Sequence, residues 1–123
     1  MIQNKIEDNE TLYRVVRRSV PGVLDSNGNP TATLFMDNGG VSVDREGDRS
    51  SREIVDSFKQ RFKTDFVDAV CITAGACREA GTCPKPIGNT KNIYHAEIWG
   101  SETQVSISLL KAMILASKCK KVE

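Results

Sequence analysis

The sequence predicts a single α+β domain spanning residues 1–123, a mainly antiparallel sheet of about four or five strands with two principal helices packed on one face. Three observations predict it. The early chain alternates apolar and polar residues with the period of a strand and is broken by turn residues. From Ser50 the apolar spacing changes to that of a helix. The length of 123 residues, 39% of them apolar, suits one core that needs neither metal nor disulfides.

Residues 1–10 form a polar lead-in, and Thr11–Val20 then alternates as a strand, with Tyr13 and Val15 on one side and Arg14 and Arg18 on the other. Pro21-Gly22 ends it. The run Asp25-Ser26-Asn27-Gly28-Asn29-Pro30 is turn chemistry throughout. It fails as a calcium loop, because its sixth position is Pro30 and its twelfth is Met36 where glycine and glutamate are needed. A second strand is expected at Thr31–Asp37 and a third at Val41–Arg45, joined as a hairpin by Asn38-Gly39-Gly40.

Ser50 and Glu53 form a capping-box pair, and Ile54, Phe58 and Phe62 recur every fourth residue, which describes a helix with one buried stripe over Ser51–Phe62. Phe66–Ile72 is an apolar run that suits a strand or a buried helix equally. Thr73–Ala80 reads as a short helix stopped by Gly81. The prolines of Cys83-Pro84-Lys85-Pro86 restrict that segment to an edge or a crossing loop. Asn92–Gly100 follows as a strand holding the only histidine and the only tryptophan, with His95, Glu97 and Trp99 on one side and Tyr94, Ala96 and Ile98 on the other. Ser101 and Gln104 repeat the capping-box pattern, so the final helix is expected over Glu102–Lys118 with a stripe of Val105, Leu109, Ala112, Met113 and Ala116. Lysines at 118, 120 and 121 suit the negative end of its dipole.

Composition excludes several classes of function. Seventeen basic against sixteen acidic side chains leave a charge of +1, which argues against a nucleic-acid or anionic-membrane partner. The N-terminal residues lack the apolar core of a signal peptide, and no later run has the length of a membrane span, so a cytoplasmic protein is expected. Cys71, Cys77 and Cys83 are each separated by five residues, unlike zinc pairs, and free thiols without a metal or cofactor are the expectation. Gly75 and Gly81 do not make a dinucleotide fingerprint.

Three polar clusters converge if their strands are neighbours: Arg14 with Arg18, Ser42 with Asp44, and His95 with Glu97. Guanidinium groups can grip an anion, and an imidazole beside a carboxylate can exchange protons or hold a polar ligand. A histidine could also activate a cysteine, although no spacing favours one thiol.

The order of Leu12–Arg14, Val41–Asp44, the Thr-Ala-Gly-x-x-Arg run at Thr73–Arg78 and Asn92-x-x-His95-Ala96 resembles a group of small uncharacterised bacterial proteins. That resemblance implies no function. The order of early Arg, middle Ser and late Glu is also similar to ADP-ribosyltransferase-like folds, which would imply Arg14, Ser42 and Glu97 around a nicotinamide dinucleotide. The leading expectation is a non-catalytic protein that binds a small polar ligand or a protein partner across the sheet face bearing His95. The competing expectations are an enzyme acting on a nucleotide or dinucleotide, with His95 or Glu97 as acid-base group, and a purely structural module; a homodimer is left open.

Overall fold

The expected alternation after Glu10 forms strand β1 (Thr11–Arg17), and the chain around it was determined as a computed structural model that describes residues 3–122. Met1 and Ile2 of the expected lead-in, and Glu123, lie outside the described residues. Strand β1 sits near the centre of one open antiparallel sheet with β2 (Val41–Arg45), β3 (Phe66–Thr73), β4 (Cys83–Lys85), β5 (His95–Trp99) and β6 (Lys120–Lys121), in the order β4-β5-β2-β1-β3-β6. Helix α1 (Ser51–Phe62) follows β2, α2 (Ala74–Glu79) follows β3, and α3 (Leu109–Lys118) follows β5. The α+β class and the single antiparallel sheet are as expected. No helix of the described residues is long and apolar enough to cross a membrane.

The two principal helices lie on opposite faces of the sheet rather than on one. Ile54 and Phe58 of α1 pack on Tyr13 and Ala69, whereas Ala112 and Leu115 of α3 join the cluster of Leu12, Val16, Val43 and Ile72. The reason lies in β1 and β3. Each carries apolar side chains on both sides, so each needs a cover above and below. This also settles the ambiguous apolar run, since Phe66–Thr73 is a strand buried between two layers.

Helix α1 has the predicted bounds and both bonds of its capping box, Glu53 N to Ser50 Oγ at 3.2 Å and Ser50 N to Glu53 Oε1 at 3.0 Å. Gly81 takes a φ of 85° after α2, as its stop requires. Strand β4 occupies a sheet edge, where Pro84 costs no central hydrogen bond.

Two expected elements differ. Thr31–Asp37 is not a strand, because the consecutive residues Leu34 and Phe35 are both buried, and a 3-10 turn over Ala32–Phe35 turns both inward where a strand would expose one. The expected hairpin at Asn38-Gly39-Gly40 therefore has no first arm. The final helix starts after Ser108, seven residues later than Glu102. Ser101 Oγ does accept from Gln104 N at 3.0 Å, but Ser101 N donates to Gln104 O and Gly100 N to Val105 O, so the pair closes a turn. Starting at Leu109 directs Ala112 and Leu115 inward and leaves Leu109, Leu110 and Met113 exposed by 58%, 68% and 53%.

The lead-in is clasped to the core. Ile6 is buried, and Arg45, whose side chain is 4% exposed, receives Glu10 on two nitrogens at 2.7 and 2.9 Å while donating to the Gln3 and Lys5 carbonyls. Breaking a buried pair from one side leaves a charge without compensation. Glu10→Gln is expected to lower the unfolding free energy by about 3 kcal/mol, read from urea denaturation. A loss below about 1 kcal/mol would mean that the clasp is a surface pair in all but position.

Candidate functional site

Register decides which side chains meet. Tyr13 pairs with Asp44, and Asp44 pairs with His95, so these three share one face of the sheet, the face on which α1 packs. Val15 and Arg17 follow Tyr13 on it by alternation. Helix α1 covers β1 and β3 but leaves the polar face of β2 and β5 open, where Ser42, His95, Glu97 and Trp99 project.

The β1–β2 ladder stops after two register pairs, Leu12 with Arg45 and Tyr13 with Asp44, although both strands continue. Arg45 N donates to Tyr94 O, and alternation along β2 then turns the backbone groups of Asp44 and Ser42 toward β1. Ser42 O has no ladder partner there. It accepts instead from Arg14 Nη1 at 2.9 Å, while Arg14 Nε donates to Leu34 O at 3.1 Å and Nη2 to Asp37 Oδ2 at 3.2 Å. The Arg14 side chain is 16% exposed; burial lowers its basicity, and the Asp37 carboxylate opposes that change.

Where the strands part there is a cleft of about 330 Å³. Its floor includes Arg14, Ser42 and Val43, its apolar wall Val15, Leu34 and Phe58, and its rim Arg17, Met36, Arg61, Phe62 and His95. Asp44 is buried at one end, where one oxygen accepts from Arg61 at 2.9 Å and from Arg49 at 3.2 Å. Arg49 also lies 3.7 Å over the Tyr94 ring, whose hydroxyl donates to Asp48 at 2.9 Å, so the start of β5 is tied to the same network.

Arg17 and Arg61 approach the Phe62 ring at 5.0 and 5.7 Å from its centroid. Arg17 is oriented by Asp65, which accepts from its Nε at 2.8 Å and from Ser19 N and Oγ at 2.7 and 2.8 Å. Among the described residues, the terminal nitrogens of Arg17 and the Nε and Nη1 of Arg61 have no acceptor. Two guanidinium groups thus present donors at one rim.

Of the residues singled out from sequence, Arg14, Ser42, Asp44 and His95 line the cleft. Arg18 and Glu97 do not. Arg18 lies beyond the end of β1 and reaches Thr64 O at 3.4 Å. The sequence reading grouped Arg14 and Arg18 with the polar clusters, whereas the register brings the odd residues of β1 to that face, so the rim cation is Arg17. Arg14 enters only because the strands separate beside it. Glu97 opposes Ser42 and accepts from Trp99 Nε1 at 2.9 Å, with its other oxygen 3.9 Å from His95 Nε2, too far for a hydrogen bond. Gly40 allows this arrangement, since a Cβ there would collide with the Glu97 carboxylate and the Trp99 indole nitrogen. Arg17 and Arg61 were missed from sequence. Their detectable signal was the pairing of Asp44 with Tyr13, a long-range fact that the sequence does not print.

No cysteine lines the cleft beside His95. Burial pushes the Cys77 thiol up to about 12 and the Cys119 thiol up to about 11, and it also raises Cys71, which disfavours the thiolate that nucleophilic catalysis requires. Among the described residues, no group of three or more His, Cys, Asp or Glu could hold a metal ion.

Hydrogen bonds from Ser19, assisted by Arg17, hold the Asp65 carboxyl below the ordinary carboxylate range. Because the folded value is the lower one, the stabilisation is complete above the unfolded value of about 3.9 and is lost as pH falls through the folded value. A carboxyl-detected NMR titration is expected to place the Asp65 midpoint below that of a free aspartate. A midpoint at or above it would show that Asp65 does not hold Arg17 in place.

No family model, no curated protein and no solved structure matches this chain, so its function is argued from side-chain chemistry.

Proposed function

We propose that this is a non-catalytic binding protein that takes a small anionic ligand in the cleft between β1 and β2. One observation carries the reading: Arg17 and Arg61 both approach the Phe62 ring, both line a hollow that also has apolar lining, and each keeps N–H groups without an acceptor among the described residues. Charge-assisted hydrogen bonds from guanidinium groups are stronger than neutral ones and are directional, so they orient an anion as well as hold it. The partly enclosed setting weakens solvent screening, which raises their worth over that of surface pairs. His95 at the rim adds a nitrogen that can donate or accept.

A cytoplasmic setting belongs to the same proposal, supported by four unpaired cysteines, which suit a reducing compartment. The resemblance to a group of small bacterial proteins is part of it and brings no activity.

A second reading, an enzyme acting on a nucleotide or dinucleotide, is supported by Glu97 standing opposite Ser42 and 3.9 Å from His95 on the open face. Two features weigh against it. Three of the Arg14 donors are already engaged within the fold. At the N-terminus of α1 the Ser50 N–H already donates to Glu53, whose carboxylate sets a negative charge where a phosphate would approach. Turnover of a dinucleotide, abolished by Glu97→Gln, would favour this reading over binding alone.

Thermal-shift measurements with acetate, phenylacetate, inorganic phosphate and adenosine monophosphate test the proposal, since a ligand preferring the folded state raises the melting temperature. At least one anion is expected to do so. Arg17→Gln and Arg61→Gln are each expected to weaken it by about tenfold, the effect of losing one charge-assisted hydrogen bond. Both variants should stay folded, because Asp65 keeps its Ser19 bonds and Asp44 keeps Arg49. Responses equal to those of the parent protein would refute anion binding at this rim.

A further inference from the structure

The residues lining the cleft contain three guanidinium groups, those of Arg14, Arg17 and Arg61, against two carboxylates, those of Asp37 and Asp44. One net positive charge is left over. A ligand with one negative charge balances it, whereas a second negative charge would enter a partly desolvated hollow without a counterion.

Shape and lining point the same way. About 330 Å³ is at the lower end of the range for small-molecule pockets, enough for one ring or a short chain. Val20 and Met36 are 39% and 41% exposed, and both line the cleft. With the half-buried Val15 they form an apolar surface that is still partly unburied, and covering it favours a ligand with an apolar body.

We infer that the ligand class of this cleft is a compact amphipathic monoanion, an aryl or alkyl carboxylate, with its carboxylate between Arg17 and Arg61 and its apolar group against Val15, Val20 and Met36. This rests on the anion-binding reading above and narrows it. A carboxylate matches the planar fork of a guanidinium with two parallel bonds, and two such groups at one rim can share its oxygens. Phosphate esters are disfavoured by their second charge, and nucleotides by size as well.

Calorimetric titration at about pH 8, where phenyl phosphate is close to fully dianionic, separates the terms with four probes. Phenylacetate carries the charge and the ring, phenylacetamide the ring alone, acetate the charge alone, and phenyl phosphate the ring with two charges. Phenylacetate is expected to bind at least about tenfold more tightly than each of the others, and to shift the backbone amides of Val15, Arg17 and Arg61 in NMR spectra. Phenyl phosphate binding as tightly as phenylacetate, or more tightly, would overturn the monoanion assignment and leave anion binding at Arg17 and Arg61 standing. Phenylacetamide matching phenylacetate would overturn both. Acetate matching phenylacetate would overturn the apolar part. If millimolar phenylacetate moves none of those amides, the inference fails, and the response of the Arg17→Gln variant to inorganic phosphate then decides whether the broader reading fails with it.

Discussion

The largely covered guanidinium of Arg14 stands where two central strands would otherwise zip together. Ser42 O and Leu34 O both accept from it, and Asp37 supplies the opposite charge. Burying a cation is costly unless its donors are satisfied and a counterion is near, and both conditions are met here. Removing it would free both carbonyls, and the part-buried one of Leu34 would cost about 1 to 3 kcal/mol if it stayed covered. The parting of β1 from β2, the hollow between them and the exposure of its rim all depend on this side chain.

The second constraint is the unequal covering of the two faces. On one face α3, the 3-10 turn at Ala32–Phe35 and the clasped lead-in bury a core that extends from β3 to β5. On the other, the apolar stripe of α1 packs on β1 and β3, and the sequence of β2 and β5 answers with Ser42, Asp44, His95 and Glu97. Asp44 can be buried there because Arg49 and Arg61 both donate to it. Arg61 therefore has two roles. It neutralises a buried acid through one nitrogen and offers the others at the rim, which lets a helix built for stability contribute to a site.

Local signals were readable wherever they were complete within one element. The capping box and fourfold spacing of Ser50–Phe62 specified α1, and the alternation over Asn92–Gly100 located β5 and its polar side, although the strand begins only at His95 after a turn. The 3-10 turn was hidden because Thr31–Asp37 has strand-like composition, and only the joint burial of Leu34 and Phe35 distinguishes it. The start of α3 was misread because Ser101 and Gln104 make the local bonds of a cap without a helix behind them. The site was legible in part. His95, Ser42, Asp44 and Arg14 were found by residue type, but the exchange of Arg18 for Arg17 follows from cross-strand register, which depends on residues far apart in the chain.

If Arg14 props the strands apart, the amides of Val15 and Ser42 face the gap instead of a ladder partner, unlike those of Val41 and Val43, which face β5. Residue-resolved hydrogen exchange on the unmodified protein measures this directly. The account predicts that Val15 and Ser42 exchange far faster than Val41 and Val43. Equal protection of all four would mean that β1 and β2 are joined along their length and that no cleft separates them.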